Sequence, residues 1–228
     1  MAFSIAVMRR LSDSDDPASF ANRMRSKRFR KFEMLVGTLP RPIRVLDIGG
    51  TNEFWKQRGW AGRGDIQIVT LNLFTEERIH DNVLPVAGNA TDLGQFASGS
   101  FDVAFSNSVI EHLFTFENQM RMASEVRRVG KAFWVQTPNF WFPMEPHFHV
   151  PGWQWMPAEL RSAILQRWRC GWRGPCPDPT KARQLVKEVR LLTGTDMRRL
   201  FPGSTIVRER FGGMTKSWIA IGGFPTSA

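Results

Sequence analysis

The sequence has no tyrosine, and its 228 residues include only two cysteines, Cys170 and Cys176. Without tyrosine there is no phenol to act as an acid or base, so proton transfer falls to histidine or to a carboxylate. Two cysteines are too few for a disulfide scaffold and fit a reducing compartment. The sequence also lacks an uninterrupted apolar run of about 18 residues, so we expect no membrane-spanning helix.

The chain length predicts one domain, residues 1–228, large enough to bury a sizeable core. In the N-terminal stretch MAFSIAVMRR the positive charges follow a short apolar run instead of preceding it. That order is unlike a secretory signal, so we expect a cytoplasmic protein.

The net charge of +10 is unevenly distributed. Residues 45–130 carry 7 basic and 11 acidic side chains, whereas residues 161–210 carry 12 and 4. This asymmetry indicates either an anionic partner near the flanking segments, such as nucleic acid or a membrane surface contacted peripherally, or a solvated basic face. The oligomeric state is left open.

Residues 14–39 have the pattern of a basic amphipathic helix, and we assign residues 1–40 as an N-terminal basic helix cap. One apolar face is predicted from Phe20, Met24, Phe32, Leu35 and Val36. Such a helix can lie on a membrane or on nucleic acid, but it more often covers a sheet or a site.

Four compact apolar runs follow, IRVLDIGG, DIQIVTLNL, FDVAFSNS and KAFWVQTPN, with a helical pattern between the last two. This alternation predicts an α/β fold: a doubly wound, Rossmann-like sheet, mostly parallel, with an antiparallel C-terminal hairpin strand around Gly212 and Gly213. Residues 139–190 are predicted to be a substrate-cap insertion, with helices at 158–169 and 181–190 and another at 195–201. A ligand should bind beyond the carboxyl ends of the strands.

The turn after the first strand reads VLDIGGTNEFW, with Gly49 and Gly50 adjacent and no third glycine. A dinucleotide loop needs its spaced glycines so that the pyrophosphate can approach the backbone. An acid at the strand end, Asp47, instead suits a ligand with an ammonium group. Thr51 and Asn52 are candidates for hydrogen bonds to that ligand, and Trp55 for a side chain that closes over it.

Four elements in order, VLDIGG, VTLNL, GNATDL and FDVAFSNSVIEHL, resemble the class I S-adenosylmethionine-dependent methyltransferases, in particular uncharacterised bacterial small-molecule types. The resemblance implies S-adenosyl-L-methionine as cofactor. It places eight residues around that cofactor: Asp47, Gly49, Gly50 and Thr51 at its amino-acid end, Asn72 at the ribose, Asn89 and Ala90 at the adenine, and Asn107 at the methyl group. Asn72 and Asn89 stand where the family usually has acids, and amide oxygens accept weaker hydrogen bonds than carboxylates.

Candidate catalytic residues lie in EPHFH, where Glu145, His147 and His149 alternate. If this segment is extended, the two histidines share a side; His147 could accept a proton while Glu145 orients it. His112, or its neighbour Glu111, could also reach the site. The alternative is that these side chains only tie down a proline-rich loop.

A zinc site built from His147, His149, Cys170 and Cys176 matches no common ligand spacing, so no metal is expected. Trp153, Trp155, Trp168 and Trp172 crowd the same region, and most of them are expected to be packed.

The sequence therefore predicts an enzyme that methylates a small-molecule or lipid-linked acceptor, at oxygen or nitrogen. Two alternatives stay open: a nucleic-acid methyltransferase that uses the basic flanks, and a degenerate methyltransferase fold acting as a non-catalytic binding module. A nicotinamide-dependent oxidoreductase would need a dinucleotide loop that the sequence does not show.

Overall fold

A computed structural model describes residues 19–225, apart from the side chains of Phe20 and Ala21. The strands are β1 (Ile43–Ile48), β2 (Ile66–Asn72), β3 (Val83–Ala87), β4 (Phe101–Asn107), β5 (Gly130–Pro138), β6 (Thr205–Phe211) and β7 (Met214–Gly222). The helices are α1 (Phe20–Val36), α2 (Asn52–Gln57), α3 (Phe116–Val129), α4 (Ala158–Arg167), α5 (Pro179–Lys187) and α6 (Gly194–Leu200), with 3₁₀ turns at Ile110–His112 and Trp153–Trp155.

All seven strands form one sheet in the order β3-β2-β1-β4-β5-β7-β6. The first five strands are parallel, while β7 runs antiparallel to β5 and pairs with β6 as a hairpin. The hairpin turn uses Gly212 and Gly213 at φ +55° and +81°, as a two-residue turn with two left-handed positions requires. The predicted α/β fold with its antiparallel C-terminal hairpin is confirmed.

Two apolar layers cover the sheet, because the central strands are buried on both faces. One layer includes α3 and α6. The other includes α1, together with Trp55 of α2 and the nearby Trp60. α1 contributes Phe29, Phe32 and Val36 to the second layer. The predicted helix face is therefore correct at Phe32, Val36 and the partly buried Leu35, and it omits Phe29.

α1 begins where the hydroxyl of Ser19 accepts a hydrogen bond from the backbone N–H of Asn22 at 2.9 Å. Residues 14–18 of the predicted helix lie outside the described residues. Among residues 19–225, no helix is long and apolar enough to cross a membrane.

The segment predicted as a cap has a small apolar core of its own, formed by residues such as Phe148, Trp153 and Leu165. Its helices are α4 and α5. The expectation that most of its tryptophans are packed is wrong, since Trp155, Trp168 and Trp172 are 47%, 61% and 47% exposed. The divisions at residues 40, 139 and 190 and the substrate-cap role stay predictions.

Candidate active site

The turn after β1 needs both of its glycines for separate reasons. Gly49 has φ +81°, and a Cβ there would overlap the side chain of Val109. A Cβ at Gly50 would overlap the carboxylate of Asp47. The backbone thus passes directly over the acid at the end of β1, which explains two adjacent glycines without a third.

Asp47 is buried, and its Oδ2 accepts a hydrogen bond of 2.8 Å from Nε1 of Trp55. Burial raises the pKa of Asp47 to about 8, and the Trp55 bond offsets only part of that rise. Trp55 is fully buried in the aromatic layer beneath the loop. The expectation that Trp55 closes over the site is therefore wrong. Its ring is buried in the core, from where it donates to the carboxylate of Asp47.

A cavity of about 220 Å³ opens beside this turn, and we call it the loop cavity. Of the eight residues predicted to hold the cofactor, five line it: Asp47, Gly49, Gly50, Thr51 and Asn107. They converge because β1 and β4 are neighbouring parallel strands whose carboxyl ends meet at one edge. Thr51 also caps α2, its hydroxyl accepting from the N–H of Phe54 at 3.2 Å.

Asn72, Asn89 and Ala90 do not line the loop cavity. Asn72 Nδ2 donates to the carbonyl of Gly50 at 2.7 Å, so this amide holds the turn in place. Asn89 Oδ1 accepts from the N–H of Thr91 at 3.0 Å and from its hydroxyl at 2.9 Å, which closes a local turn. The contacts of Asn72, Asn89 and Ala90 with the cofactor stay predictions.

Sequence reasoning missed two arginines that line the loop cavity, Arg25 and Arg58. Arg58 Nη2 donates to Asn22 Oδ1 at 2.8 Å, while its Nε is buried without a hydrogen-bond partner. Burial, together with the charge of Arg28, lowers the pKa of Arg58. For Arg25 the sequence offers one signal, the basic face of α1, whereas Arg58 follows α2 and carries no such signal.

Arg28 also points inward. Its Nη1 donates to Oδ1 of Asn107 and, at 2.7 Å, to Oε1 of Gln136, at the ends of β4 and β5. Its Nε and Nη2 bind both carboxylate oxygens of Glu209 at 3.1 and 2.8 Å. This buried fork joins α1, β4, β5 and β6 beside the loop cavity.

A second group of side chains lies beyond the ends of β4 and β5: Glu111, His112, Glu145 and His147, here called the histidine cluster. Nδ1 of His147 is 2.6 Å from Oε1 of Glu145, and Nε2 of His147 is 4.0 Å from Oε1 of Glu111. The rings of His112 and His147 meet edge to face, with centroids 4.7 Å apart. The structure thus brings together the three predicted catalytic residues and Glu111.

Each carboxylate of the cluster accepts hydrogen bonds that fix one of its two oxygens. Thr137 donates its hydroxyl to Oε2 of Glu111 at 2.9 Å, which leaves the buried Oε1 of Glu111 without a hydrogen-bond partner. Glu145 is also buried, and its Oε2 accepts from the N–H groups of His147 and Phe148 at 2.8 and 2.6 Å. The free side of the cluster is therefore Nε2 of His147 and Oε1 of Glu111.

The two histidines differ in protonation. Burial lowers the pKa of His147, but the hydrogen bond and charge of Glu145 and the charge of Glu111 outweigh it, so the net shift is upward. Burial and the charge of His147 lower the pKa of His112 to about 4. Burial raises the pKa of Glu111. His147 is therefore the stronger base of the pair, and His112 is neutral near pH 7.

The expected alternation of His147 and His149 is wrong. The segment is a turn, and His149 adopts a left-handed φ of +52°, which directs it to Trp172 at 5.9 Å between ring centroids. Cys170 and Cys176 are free and buried. Glu111, His112 and His147 offer ligand atoms within 4.8 Å of one another, but the 4.0 Å gap from His147 to Glu111 exceeds the roughly 3.4 Å between ligands of a tetrahedral zinc site.

Comparison with known proteins agrees with the fold. A family model described as a methyltransferase domain matches residues 57–132, beginning just after the loop cavity's turn. Two uncharacterised proteins of Mycobacterium tuberculosis, from strains CDC 1551 / Oshkosh and H37Rv, are 43% identical over 51 residues, which is 22% of this chain and 17% of theirs.

Among solved structures, a protein of Rhodobacter sphaeroides described as a zinc-dependent alcohol dehydrogenase has a TM-score of 0.53 at 14% identity, covering 84% of this chain and 88% of its own. A Bordetella parapertussis protein described as exported has a TM-score of 0.50 at 13% identity, covering 90% and 68%. At these identities the likeness concerns the fold alone.

The strand order separates the two classes that share this general architecture. Dinucleotide-binding dehydrogenases have six parallel strands in the order 3-2-1-4-5-6. Here an antiparallel β7 lies between β5 and β6. Residues 57–132 match the methyltransferase-domain model, and the sheet resembles that of the class I S-adenosylmethionine-dependent methyltransferases, whose cofactor is S-adenosylmethionine.

The loop cavity suits the amino-acid end of that cofactor. Asp47 is a buried acid whose carboxylate receives a hydrogen bond from Trp55, and a cofactor ammonium would pair with this carboxylate. Arg25 and Arg58 bring positive charge to the same cavity, where the cofactor carboxylate would need it. The residues present therefore fit a zwitterion with its ammonium at Asp47.

Proposed function

We propose that the protein transfers the methyl group of S-adenosylmethionine to an oxygen or nitrogen of a small-molecule or lipid-linked acceptor. One observation carries the proposal: a hydrogen-bonded Glu145–His147 pair lies beyond the strand ends that also form the loop cavity. Asn107 ends β4, and Glu111 follows it by four residues, so the two sites share one edge of the sheet.

When bound, the cofactor supplies a methyl group on a sulfonium that is already activated. The protein then has to position the acceptor and to remove its proton. With Glu145 accepting from Nδ1–H, Nε2 of His147 carries the lone pair, and this nitrogen would take the proton that the acceptor loses on methylation, while S-adenosylhomocysteine would leave. Oε1 of Glu111 lies 4.0 Å from this nitrogen. His112, neutral at pH 7, orients the acceptor.

The first test is a variant of the proposed base. His147→Asn should lower kcat/KM by about 10²-fold or more, the usual contribution of general base catalysis. The assay measures S-adenosylhomocysteine formed with a panel of small hydroxy- and amino-carboxylates. In the wild type, kcat/KM should rise with pH through a pKa above 6.5, because His147 must lose its proton first, and His147→Asn should lack that step.

His149→Asn is the matched control, because it alters a histidine of the same loop outside the cluster. Its kcat/KM should stay close to that of the wild type. An unchanged pH profile in His147→Asn would refute the role of His147 as base. Tight cofactor binding without turnover of any acceptor would favour the non-catalytic alternative, and turnover of RNA or DNA alone would favour the nucleic-acid alternative.

A further inference from the structure

A separate cavity of about 230 Å³ lies under the cap segment, and we call it the cap cavity. Its lining includes Glu145, Trp153, Gln154, Arg161 and Arg190. Taking about 30 Å³ per water molecule, it has room for roughly seven waters, or one small organic molecule. Since Glu145 lines this cavity and also binds His147, the cavity adjoins the histidine cluster.

Unsatisfied polar atoms concentrate at this cavity. Among residues 19–225, nine buried side-chain nitrogen or oxygen atoms lack a hydrogen-bond partner, and three of these belong to residues that line the cap cavity. They are Nε1 of Trp153, Oε1 of Gln154 and Nε of Arg161. A buried polar atom without a partner costs on the order of 1–3 kcal/mol, so three together at one cavity indicate a ligand that completes them.

The polar groups beside these three atoms already have partners. Nε2 of Gln154 donates to the carbonyls of Phe140 and Phe142, at 3.0 and 2.7 Å, which fixes the amide. Its Oε1 has no hydrogen-bond partner. The carboxylate of Glu145 is already occupied by His147 and Phe148. The charge of Glu145 raises the pKa of Arg161, although no hydrogen bond joins the two side chains.

The charges at the cavity favour an anion. Burial lowers the pKa of Arg161, and this loss is only partly offset by the charges of Glu145 and Glu159. Arg190 adds a second positive charge to the lining, with its Nη1 bound to Oε1 of Gln119 at 2.6 Å, so that two cations face the one carboxylate of Glu145. The Nε–H edge of a guanidinium matches the two oxygens of a carboxylate, and Nε1–H of Trp153 is a further donor. The oxygen of Gln154 requires the opposite partner, a hydroxyl or an amine.

We propose that the cap cavity binds the methyl acceptor through a carboxylate, and that this acceptor is a small carboxylate which also carries a hydroxyl or amino group. Arg161 and Trp153 hold the carboxylate, and Gln154 accepts from the hydroxyl or amine. This inference rests on the proposed function, because it takes the histidine cluster as the reaction centre. It excludes a neutral acceptor from this cavity.

Three probes separate the contributions of the ligand's carboxylate and of its hydroxyl group to binding. They are mandelate, its neutral amide mandelamide, and phenylacetate, which lacks the hydroxyl. Calorimetric titration of the whole protein should show mandelate binding at least tenfold tighter than mandelamide and several-fold tighter than phenylacetate. Arg161→Gln should weaken mandelate tenfold or more. Arg167→Gln, an exposed arginine of the same helix, should leave its affinity unchanged.

A second readout links the cavity to the reaction centre. Mandelate should shift the imidazole NMR signal of His147, identified among the four histidines by its loss in His147→Asn. No mandelate binding, equal binding of mandelamide, or an equal effect of Arg167→Gln would overturn the proposal. Binding without a His147 shift would overturn the acceptor role.

Titration of the same samples with S-adenosylmethionine keeps the two proposals apart. If the cofactor binds and mandelate does not, only the cap-cavity inference fails. If the cofactor does not bind, the proposed function fails whatever mandelate does.

Discussion

Replacing Asp47 with asparagine should change how the stability of the cofactor-free protein depends on pH. The Asp47 carboxyl is buried, its pKa is raised from 3.8 to about 8, and Trp55 is its hydrogen-bond donor. Between these two pH values the folded protein holds a proton that the unfolded chain releases. Asp47→Asn keeps an oxygen for Trp55 and does not ionise, so it removes this linkage without removing the bond.

The sign and size follow from the pKa. Because the folded-state pKa is the higher one, the contribution of Asp47 to stability is complete below pH 3.8 and is lost as the pH rises through about 8. Each pH unit in this interval corresponds to about 1.4 kcal/mol, and the whole interval to about 6 kcal/mol. Relative to the wild type, Asp47→Asn should therefore gain about 1.4 kcal/mol per pH unit between pH 5 and 7.

Urea unfolding at pH 5, 6 and 7, followed by tryptophan fluorescence, measures this difference. Asp65→Asn is the control, since the hydrogen bond from Arg63 lowers the pKa of Asp65 and keeps it ionised across the range. Its difference from the wild type should not vary with pH. Saturating cofactor should flatten the wild-type profile, because a bound ammonium favours ionised Asp47. Parallel profiles for Asp47→Asn and the cofactor-free wild type would refute the reasoning.

Two further substitutions test the turn after β1 and the Arg28–Glu209 ion pair beside the loop cavity. Gly50→Ala should abolish cofactor binding by calorimetry, because a Cβ there overlaps the carboxylate of Asp47, whereas Gly64→Ala, with open space at its Cβ, should bind normally; equal binding by both would contradict the tight turn. Arg28→Met should lower the free energy of unfolding by about 3–5 kcal/mol by removing the cation that pairs with the largely buried Glu209 and leaving it the hydroxyl of Ser217 as donor, and adding Glu209→Gln should restore part of it. Urea titration measures this, and a loss below 1 kcal/mol would contradict the buried pair.

Strand and helix periodicity predicted most of the fold because the central strands are buried on both faces and read as compact apolar runs. β3 was missed, since it contains Pro85 and only its first residue, Val83, is fully buried. The helices predicted at 158–169, 181–190 and 195–201 are present as α4, α5 and α6 with shifted ends. Propensity sets where such a helix lies better than where it stops.

The site was predictable where strand ends determine it. Asp47 and Asn107 end neighbouring parallel strands, so the topology alone brings them together. Arg28 and Arg161 were not predictable, because their partners lie far away in the sequence and a buried arginine has the same local pattern as an exposed one. The prediction that His147 and His149 share a side was wrong for a local reason. The backbone of His149 is left-handed and breaks the alternation that an extended segment would give.

Calorimetric titration with S-adenosylmethionine and S-adenosylhomocysteine, with NADH as control, tests the central claim most directly. Both adenosyl compounds should bind, NADH should not, and Asp47→Asn should weaken the binding of both adenosyl compounds. Binding of NADH, or of none of the three by the folded protein, would contradict it.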